Sequence, residues 1–119
     1  MEPQLPKFFG NLPAAKVTVR AMAAGQAQNA PAAYYYAGSE DGTRPGVYWA
    51  NTHNLQARKT YEAETLTLHE AVPGHHLQIS LAMENNELAC FQRQLEDRRY
   101  SDAPGRFPLY SAYVEGWGL

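Results

Sequence analysis

Alternating hydrophobic and polar positions in the first half of the chain predict three short strands. Residues 16–20 read Lys-Val-Thr-Val-Arg, and residues 33–37 and 47–51 are rich in aromatic side chains. Aromatic and β-branched side chains fit the pleated, half-buried surface of a sheet. The Gly-Ser-Glu-Asp-Gly segment at 38–42 is typical of a turn. We therefore expect a short antiparallel sheet or hairpin within residues 1–54, which are otherwise mostly loops.

The second half of the chain follows a helical period. Apolar positions three or four residues apart predict a first helix, whose packed stripe would consist of Tyr61, Thr65, Leu68 and Val72. The predicted helical segments are residues 55–72, a continuation to about 84, a segment around 88–95, and 107–119. Residues 51–54 offer several side chains that could cap the first helix. The fold class is therefore α+β, with three or four helices in residues 55–119.

Composition restricts the possible functions. With 119 residues, the chain forms one domain at most. Charged residues make up 18% and the net charge is −2, so nothing indicates a nucleic-acid or anionic-membrane surface. A single cysteine, Cys90, excludes an internal disulfide. No stretch is long and apolar enough to span a bilayer, and the N-terminus does not resemble a signal peptide. Because the last residues read as helix without a stop signal, we expect a piece of a longer protein.

The candidate chemistry is concentrated in residues 66–78, which contain three of the four histidines. His69 is followed directly by Glu70, and His75 and His76 come soon after. Two imidazoles and a neighbouring glutamate on a helix are the pattern in which zinc activates water and the glutamate handles its proton. The usual spacing is His-Glu-x-x-His, and here four residues separate Glu70 from His75.

In an unbroken helix, the spacing between His69 and the later histidines would not let them share a metal ion. His69 and His76 would lie roughly 10 Å apart at about 1.5 Å per residue. Pro73 has no N–H to donate and must kink or bulge the helix, and Gly74 allows unusual backbone angles. If both residues are accommodated in a bulge, His75 moves back towards the position of a second ligand. The remaining histidine, His53, is expected in a loop or at a helix cap.

The last predicted helix offers a third candidate ligand. Ser111, Glu115 and Gly118 share one face, beside the bulkier face of Tyr110, Val114 and Trp117. A carboxylate between small residues can approach another helix closely, as a third ligand must. Spacing alone leaves open that Glu115 is an ordinary surface glutamate, and that the histidines form a satisfied polar core.

Three blocks in fixed order resemble a known family. They are Pro-Gly-Val-Tyr-Trp-Ala-Asn-Thr at 45–52, His-Glu-Ala-Val-Pro-Gly-His-His-Leu-Gln at 69–78 and Tyr-Val-Glu-Gly-Trp at 113–117. The chain is similar to the bacterial domain-of-unknown-function family 885 (DUF885), whose members resemble gluzincin-type zinc metallopeptidases. The lead-in at 5–13 also fits, so the similarity covers most of the chain. Members usually read Gly-Trp-Ala-Leu where this chain has Gly-Trp-Gly-Leu, so Gly118 is a small departure.

The resemblance implies a role for each candidate residue. His69 would be the first zinc ligand and Glu70 the general base. His75 would be the second ligand, because related peptidases often place a glycine directly before that histidine; His76 is the alternative, or a neighbour that binds substrate. Glu115 would be the third ligand. A donor for the developing oxyanion is also needed, for which Tyr113, Tyr110 or a residue outside this sequence could serve.

The resemblance thus implies a zinc-dependent hydrolase, most simply a peptidase acting on peptide-like substrates. The alternative is a zinc-binding or peptide-binding module without turnover. Family members are much longer, with helices before and after this segment. We therefore expect the isolated 119 residues to have little or no activity, because the remainder of the parent chain would be needed to complete a cleft.

Overall fold

The predicted strands are present, in an arrangement that is only partly the expected one. The computed structural model describes residues 2–93 and 111–119. The strands are β1 (Val17–Ala21), β2 (Ala33–Tyr36) and β3 (Gly46–Ala50), in the sheet order β1-β3-β2. β2 and β3 pair antiparallel, but β1 and β3 pair parallel. The expected hairpin of the second and third strands is therefore confirmed, whereas an antiparallel sheet of all three strands is wrong, because β1 makes the sheet mixed.

The parallel pair follows from the path of the chain between its two strands. After β1, the chain passes through the short helix α1 (Ala24–Ala27) and β2 before it returns as β3. A connection of this length can bring the chain back in its original direction, whereas a tight hairpin cannot. The alternating pattern of one strand is the same for either direction, so it could not reveal this pairing.

The helical half is more divided than expected. Its elements are a 3-10 turn at Leu55–Ala57, α2 (Thr60–Glu70), α3 (His75–Glu84), α4 (Cys90–Arg93) and α5 (Ser111–Gly118). The helix predicted over 55–72 is therefore shorter at both ends. α2 and α3 are also two separate helices, not one helix with a bulge, because Pro73 cannot donate a backbone hydrogen bond to continue α2. No helix in the described part of the chain is long and apolar enough to cross a membrane.

The polar segment before the helices does not cap α2. Lys59 occupies the N-cap position of α2 without a side-chain hydrogen bond. Asn51 is buried and donates from Nδ2 to the carbonyl of Ala27, while its Oδ1 accepts the N–H of His53. Asn51 therefore connects β3 to the preceding loop, and His53 lies in a loop, as expected.

The core lies between the sheet and the end of α2. Its buried cluster consists of Ala33, Tyr48 and Ala71, with Val17, Ala50, Leu66 and Val72 packed against it. The stripe predicted for α2 is wrong in part, because Tyr61 is 73% exposed. α2 instead turns Leu66 and Glu70, four residues apart, towards the sheet, where a strand amide satisfies the carboxylate of Glu70.

α5 is held by its apolar face. Val114 is buried, and the indole of Trp117 stacks on Phe9 with ring centroids 6.4 Å apart. The N-terminal lead-in therefore contributes to the position of the last helix.

Candidate metal centre

Side chains from three helices converge at one point of the structure. Nε2 of His69, at the end of α2, lies 3.1 Å from Oε2 of Glu115 on α5. Nε2 of His75, at the start of α3, lies 3.6 Å from the same oxygen. One candidate ligand atom from each residue falls within 4.8 Å of the others. Because zinc ligands lie about 2.0–2.2 Å from the ion, these atoms can share one ion after small side-chain movements.

The break between α2 and α3 brings the two imidazoles together. Their ring centroids are 4.4 Å apart, in an edge-to-face arrangement. The N–H of Gly74 donates to the carbonyl of Leu68, and a Cβ at this position would overlap the carbonyl oxygen of His69. Glycine is therefore required at position 74, since only a residue without a side chain lets α3 begin directly against the end of α2.

A buried amide orients His75. Nδ1 of His75 lies 3.1 Å from Oε1 of Gln78, whose side chain is buried on the same helix. When Nδ1 donates to this oxygen, the lone pair is left on Nε2, which faces Glu115. This role of Gln78 was missed from the sequence, although its position three residues after His75 places both side chains on one helix face.

Exposure differs among the three members of the cluster. The side chains of His69 and His75 are 23% and 10% exposed, whereas that of Glu115 is 60% exposed. Gly118, one turn after Glu115, lies so close to His69 that a Cβ there would be 2.9 Å from its Nδ1. As expected for a stripe of small residues, the backbone of α5 approaches the imidazoles closely, and the cluster is open to solvent at its carboxylate.

Glu70 faces the sheet. It is buried, and its Oε2 accepts the backbone N–H of Tyr35 in β2 at 2.9 Å. This partner could not be found in the sequence, because nothing in the spacing relates a residue at the end of α2 to one particular strand amide.

The two neighbouring histidines have different surroundings. His75 belongs to the cluster with His69 and Glu115, and His76 does not. Nδ1 of His76 instead lies 3.0 Å from the phenol oxygen of Tyr35 and 3.4 Å from Oγ of Ser80. Of the two candidates for a second ligand, the geometry therefore favours His75.

The candidate oxyanion donors are less clearly placed. Tyr113 lies on α5, two residues before Glu115, and is 58% exposed. Its role stays a prediction. Tyr110 lies outside the described residues.

Comparison with known proteins gives the family of the chain. A crystal structure of a presumed lipoprotein from Colwellia psychrerythraea is similar, with a TM-score of 0.81 and 33% sequence identity. The match covers 98% of this chain and 18% of that chain, so the sequence spans less than a fifth of that structure. No curated protein matches. The family model described as "Bacterial protein of unknown function (DUF885)" matches residues 1–119. The chain therefore belongs to the DUF885 family.

Proposed function

We propose that this protein is a zinc-dependent hydrolase of peptide-like bonds. The observation that carries the proposal is the convergence of His69, His75 and Glu115 from three helices. Glu70 directly follows the first of these histidines in the sequence. Two imidazoles and one carboxylate are a donor set of zinc hydrolases that leave a coordination position open.

The donor set fits zinc better than a hard cation. Magnesium and calcium favour oxygen ligands, whereas imidazole nitrogen suits zinc. His69, His75 and Glu115 would hold the ion, with the Gln78 amide fixing the ring of His75. When bound, zinc would lower the pKa of water to about 7 and polarise a carbonyl.

Glu70 supplies the proton transfer in this proposal. Its carboxylate would take a proton from the attacking water and return it to the amine nitrogen as the C–N bond breaks. Burial keeps this carboxylate away from bulk solvent, and the Tyr35 amide restrains one of its oxygens. A base that the fold holds in place, and that directly follows a proposed ligand in sequence, suits such chemistry.

The position of β2 supports an extended peptide as the substrate. β2 is an edge strand of the described sheet, and the amide of Tyr35 binds Glu70 instead of joining the ladder to β3. An edge strand can hydrogen-bond the backbone of an extended peptide. At Tyr35 this edge is already occupied by Glu70, so a peptide could pair only with the other outward-facing groups of β2, next to the proposed base.

A zinc-binding or peptide-binding module without turnover is the second candidate. It accounts equally well for the hydrogen bond between Glu70 and Tyr35, since a carboxylate with a purely structural role would make the same bond. Replacement of Glu70 separates the two candidates.

The test uses the full native protein, its zinc content and a library of peptides. We expect stoichiometric zinc and hydrolysis in the wild type. Glu70→Gln keeps the shape and can still accept the Tyr35 amide, but it cannot take a proton. It should retain zinc and lose roughly 10²–10⁴-fold in kcat, the usual contribution of a positioned base.

Glu64→Gln is the matched control, because Glu64 is an exposed glutamate on the same helix. It should match the wild type in both measurements. Unchanged hydrolysis in Glu70→Gln would refute the role of Glu70. A wild type that binds zinc but cleaves no peptide would favour the binding module, and absence of bound zinc would refute both the hydrolase and a zinc-binding module.

A further inference from the structure

Three buried residues, two of which directly follow His69 and His75 in sequence, form a continuous hydrogen-bonded bridge. His76 is 4% exposed, and Tyr35 and Glu70 are each 9% exposed. The phenol oxygen of Tyr35 is 3.0 Å from Nδ1 of His76, and its backbone N–H donates to Oε2 of Glu70 at 2.9 Å. Tyr35 thus contacts the last residue of α2 through its main chain and the second residue of α3 through its side chain.

The surroundings of Tyr35 are shaped for this contact. Its ring meets the imidazole of His76 edge-on, with centroids 5.5 Å apart. On the neighbouring strand, a Cβ at Gly46 would overlap the phenol group, so this glycine provides the space that Tyr35 occupies. The bridge therefore depends on a specific small residue in β3 as well as on its own three members.

Resting on the hydrolase proposed above, we propose that Tyr35 is a positioning residue for Glu70, and that His76 acts through it. A carboxylate at the end of a helix can rotate about its side-chain bonds. The hydrogen bond from the Tyr35 amide fixes it, and the bond between the phenol and His76 fixes the strand that carries the amide. The second histidine of the pair would thus orient the base through β2, while the first binds the metal.

Positioning of the base and general stabilisation of the fold predict different results for Tyr35→Phe. If the phenol only stabilises the fold, its loss should lower stability and leave kcat unchanged. If it positions the base, kcat should fall while KM and zinc content remain, since a misplacement of about 1 Å can cost roughly 100-fold in rate.

Tyr48→Phe is the matched control. Tyr48 is also buried, faces α2 from the adjacent strand, and its phenol oxygen lies 3.4 Å from Oγ1 of Thr67. Both variants therefore remove one phenol contact between the sheet and a helix, but the phenol of Tyr48 contacts Thr67 whereas that of Tyr35 contacts His76.

The experiment measures kcat, KM, zinc content and amide hydrogen exchange at residue 35 in the full zinc-loaded protein. In Tyr35→Phe we expect a fall in kcat of about 10- to 100-fold, with KM within about twofold and zinc retained. Exchange at residue 35 should accelerate by about tenfold or more, because local opening becomes easier. Tyr48→Phe should leave kcat and this exchange rate near wild type.

A second pair of variants tests the other end of the bridge. His76→Gln keeps a hydrogen-bond acceptor for the phenol and should retain most of the activity, whereas His76→Leu should behave like Tyr35→Phe. The double variant Tyr35→Phe/His76→Leu should be no worse than either single variant, because both remove one shared interaction.

Equal kcat in Tyr35→Phe and wild type, or equal losses in Tyr35→Phe and Tyr48→Phe, would overturn the proposal. Failure of the hydrolase itself would look different, because the wild type would then cleave no peptide. The exchange rate at residue 35 still decides in that case: unchanged exchange in both Tyr35→Phe and His76→Leu would show that the phenol does not hold the strand against Glu70.

Discussion

The bridge through Tyr35 and the metal cluster each join the end of α2 to the start of α3, but the two are built differently. The bridge is buried throughout, and both of its helical members are hydrogen-bonded to one strand residue, Tyr35. The cluster combines two largely buried imidazoles with a carboxylate that is 60% exposed. The proposed base is thus held more firmly than the proposed third ligand.

The difference follows from the way in which the chain brings the imidazoles and the carboxylate to the cluster. His69 and His75 are six residues apart, so the chain between them fixes their separation. Glu115 arrives on a helix from far along the chain, and that helix is anchored through Val114 and the stacking of Trp117 on Phe9. Local backbone geometry therefore sets the imidazole pair, and tertiary packing alone sets the carboxylate.

The largest expected effect comes from the break that both regions share. In Gly74→Ala, a methyl group would overlap the carbonyl oxygen of His69, so the backbone of α2 or α3 must shift. We expect a loss of about 3 kcal/mol or more in the free energy of unfolding, at the upper end for overpacking, together with loss of zinc binding. Urea denaturation and zinc titration measure the two effects.

Gly116→Ala is the control for this variant, because a Cβ at Gly116 meets nothing within 4 Å in the described structure. It should be neutral or slightly stabilising, as is usual for alanine in a helix. A Gly74→Ala protein with wild-type stability would contradict the tight approach of α3 to α2.

Substitution of Glu115, the exposed member of the cluster, should change zinc affinity without changing the stability of the fold. Glu115→Gln removes one proposed ligand charge from a side chain that is 60% exposed, so the urea midpoint of the metal-free protein should change little. Zinc affinity should fall by at least about 100-fold, since even the loss of an outer partner costs 10–100-fold. Competition with a chelator measures it, and Glu62→Gln, an exposed glutamate on α2, should have no effect.

Replacement of Gln78, whose side-chain amide orients His75, should have a smaller effect on zinc affinity. Gln78→Leu removes the acceptor for Nδ1 of His75 and should weaken zinc binding by about 10- to 100-fold. Gln78→Glu keeps an acceptor oxygen and should bind zinc nearly as well as the wild type. Equal affinities in Gln78→Leu and wild type would show that the ring of His75 needs no orienting partner.

The smallest effect is expected where α5 approaches His69. A Cβ at Gly118 would lie 2.9 Å from Nδ1 of the imidazole, which can move by a few tenths of an ångström. Gly118→Ala should therefore change zinc affinity by less than about tenfold, the lower limit for loss of an outer partner, and Gly118→Val should change it more. Isothermal titration with zinc measures both, with Gly116→Ala again as the neutral control.

Patterns within a few residues predicted much of this fold. The three strands, the helical second half and the interruption at Pro73 and Gly74 all follow from local periodicity and from residues with restricted or permissive backbones. The direction of β1 and the exposed position of Tyr61 could not be predicted in this way. Both depend on which surface another element covers. The sequence of a single strand or helix does not show which element packs against it.

The candidate site, like the fold, could be predicted only in part from the sequence. The sequence by itself determined which residues could bind a metal, and Pro73 and Gly74 indicated that His69 could meet a histidine two turns away. Only the tertiary structure decided that His75 joins Glu115 while His76 turns to Tyr35. The physical reason is that adjacent residues on a helix point about 100° apart. Which of them meets the cluster therefore depends on how the sheet and α5 pack around the helix.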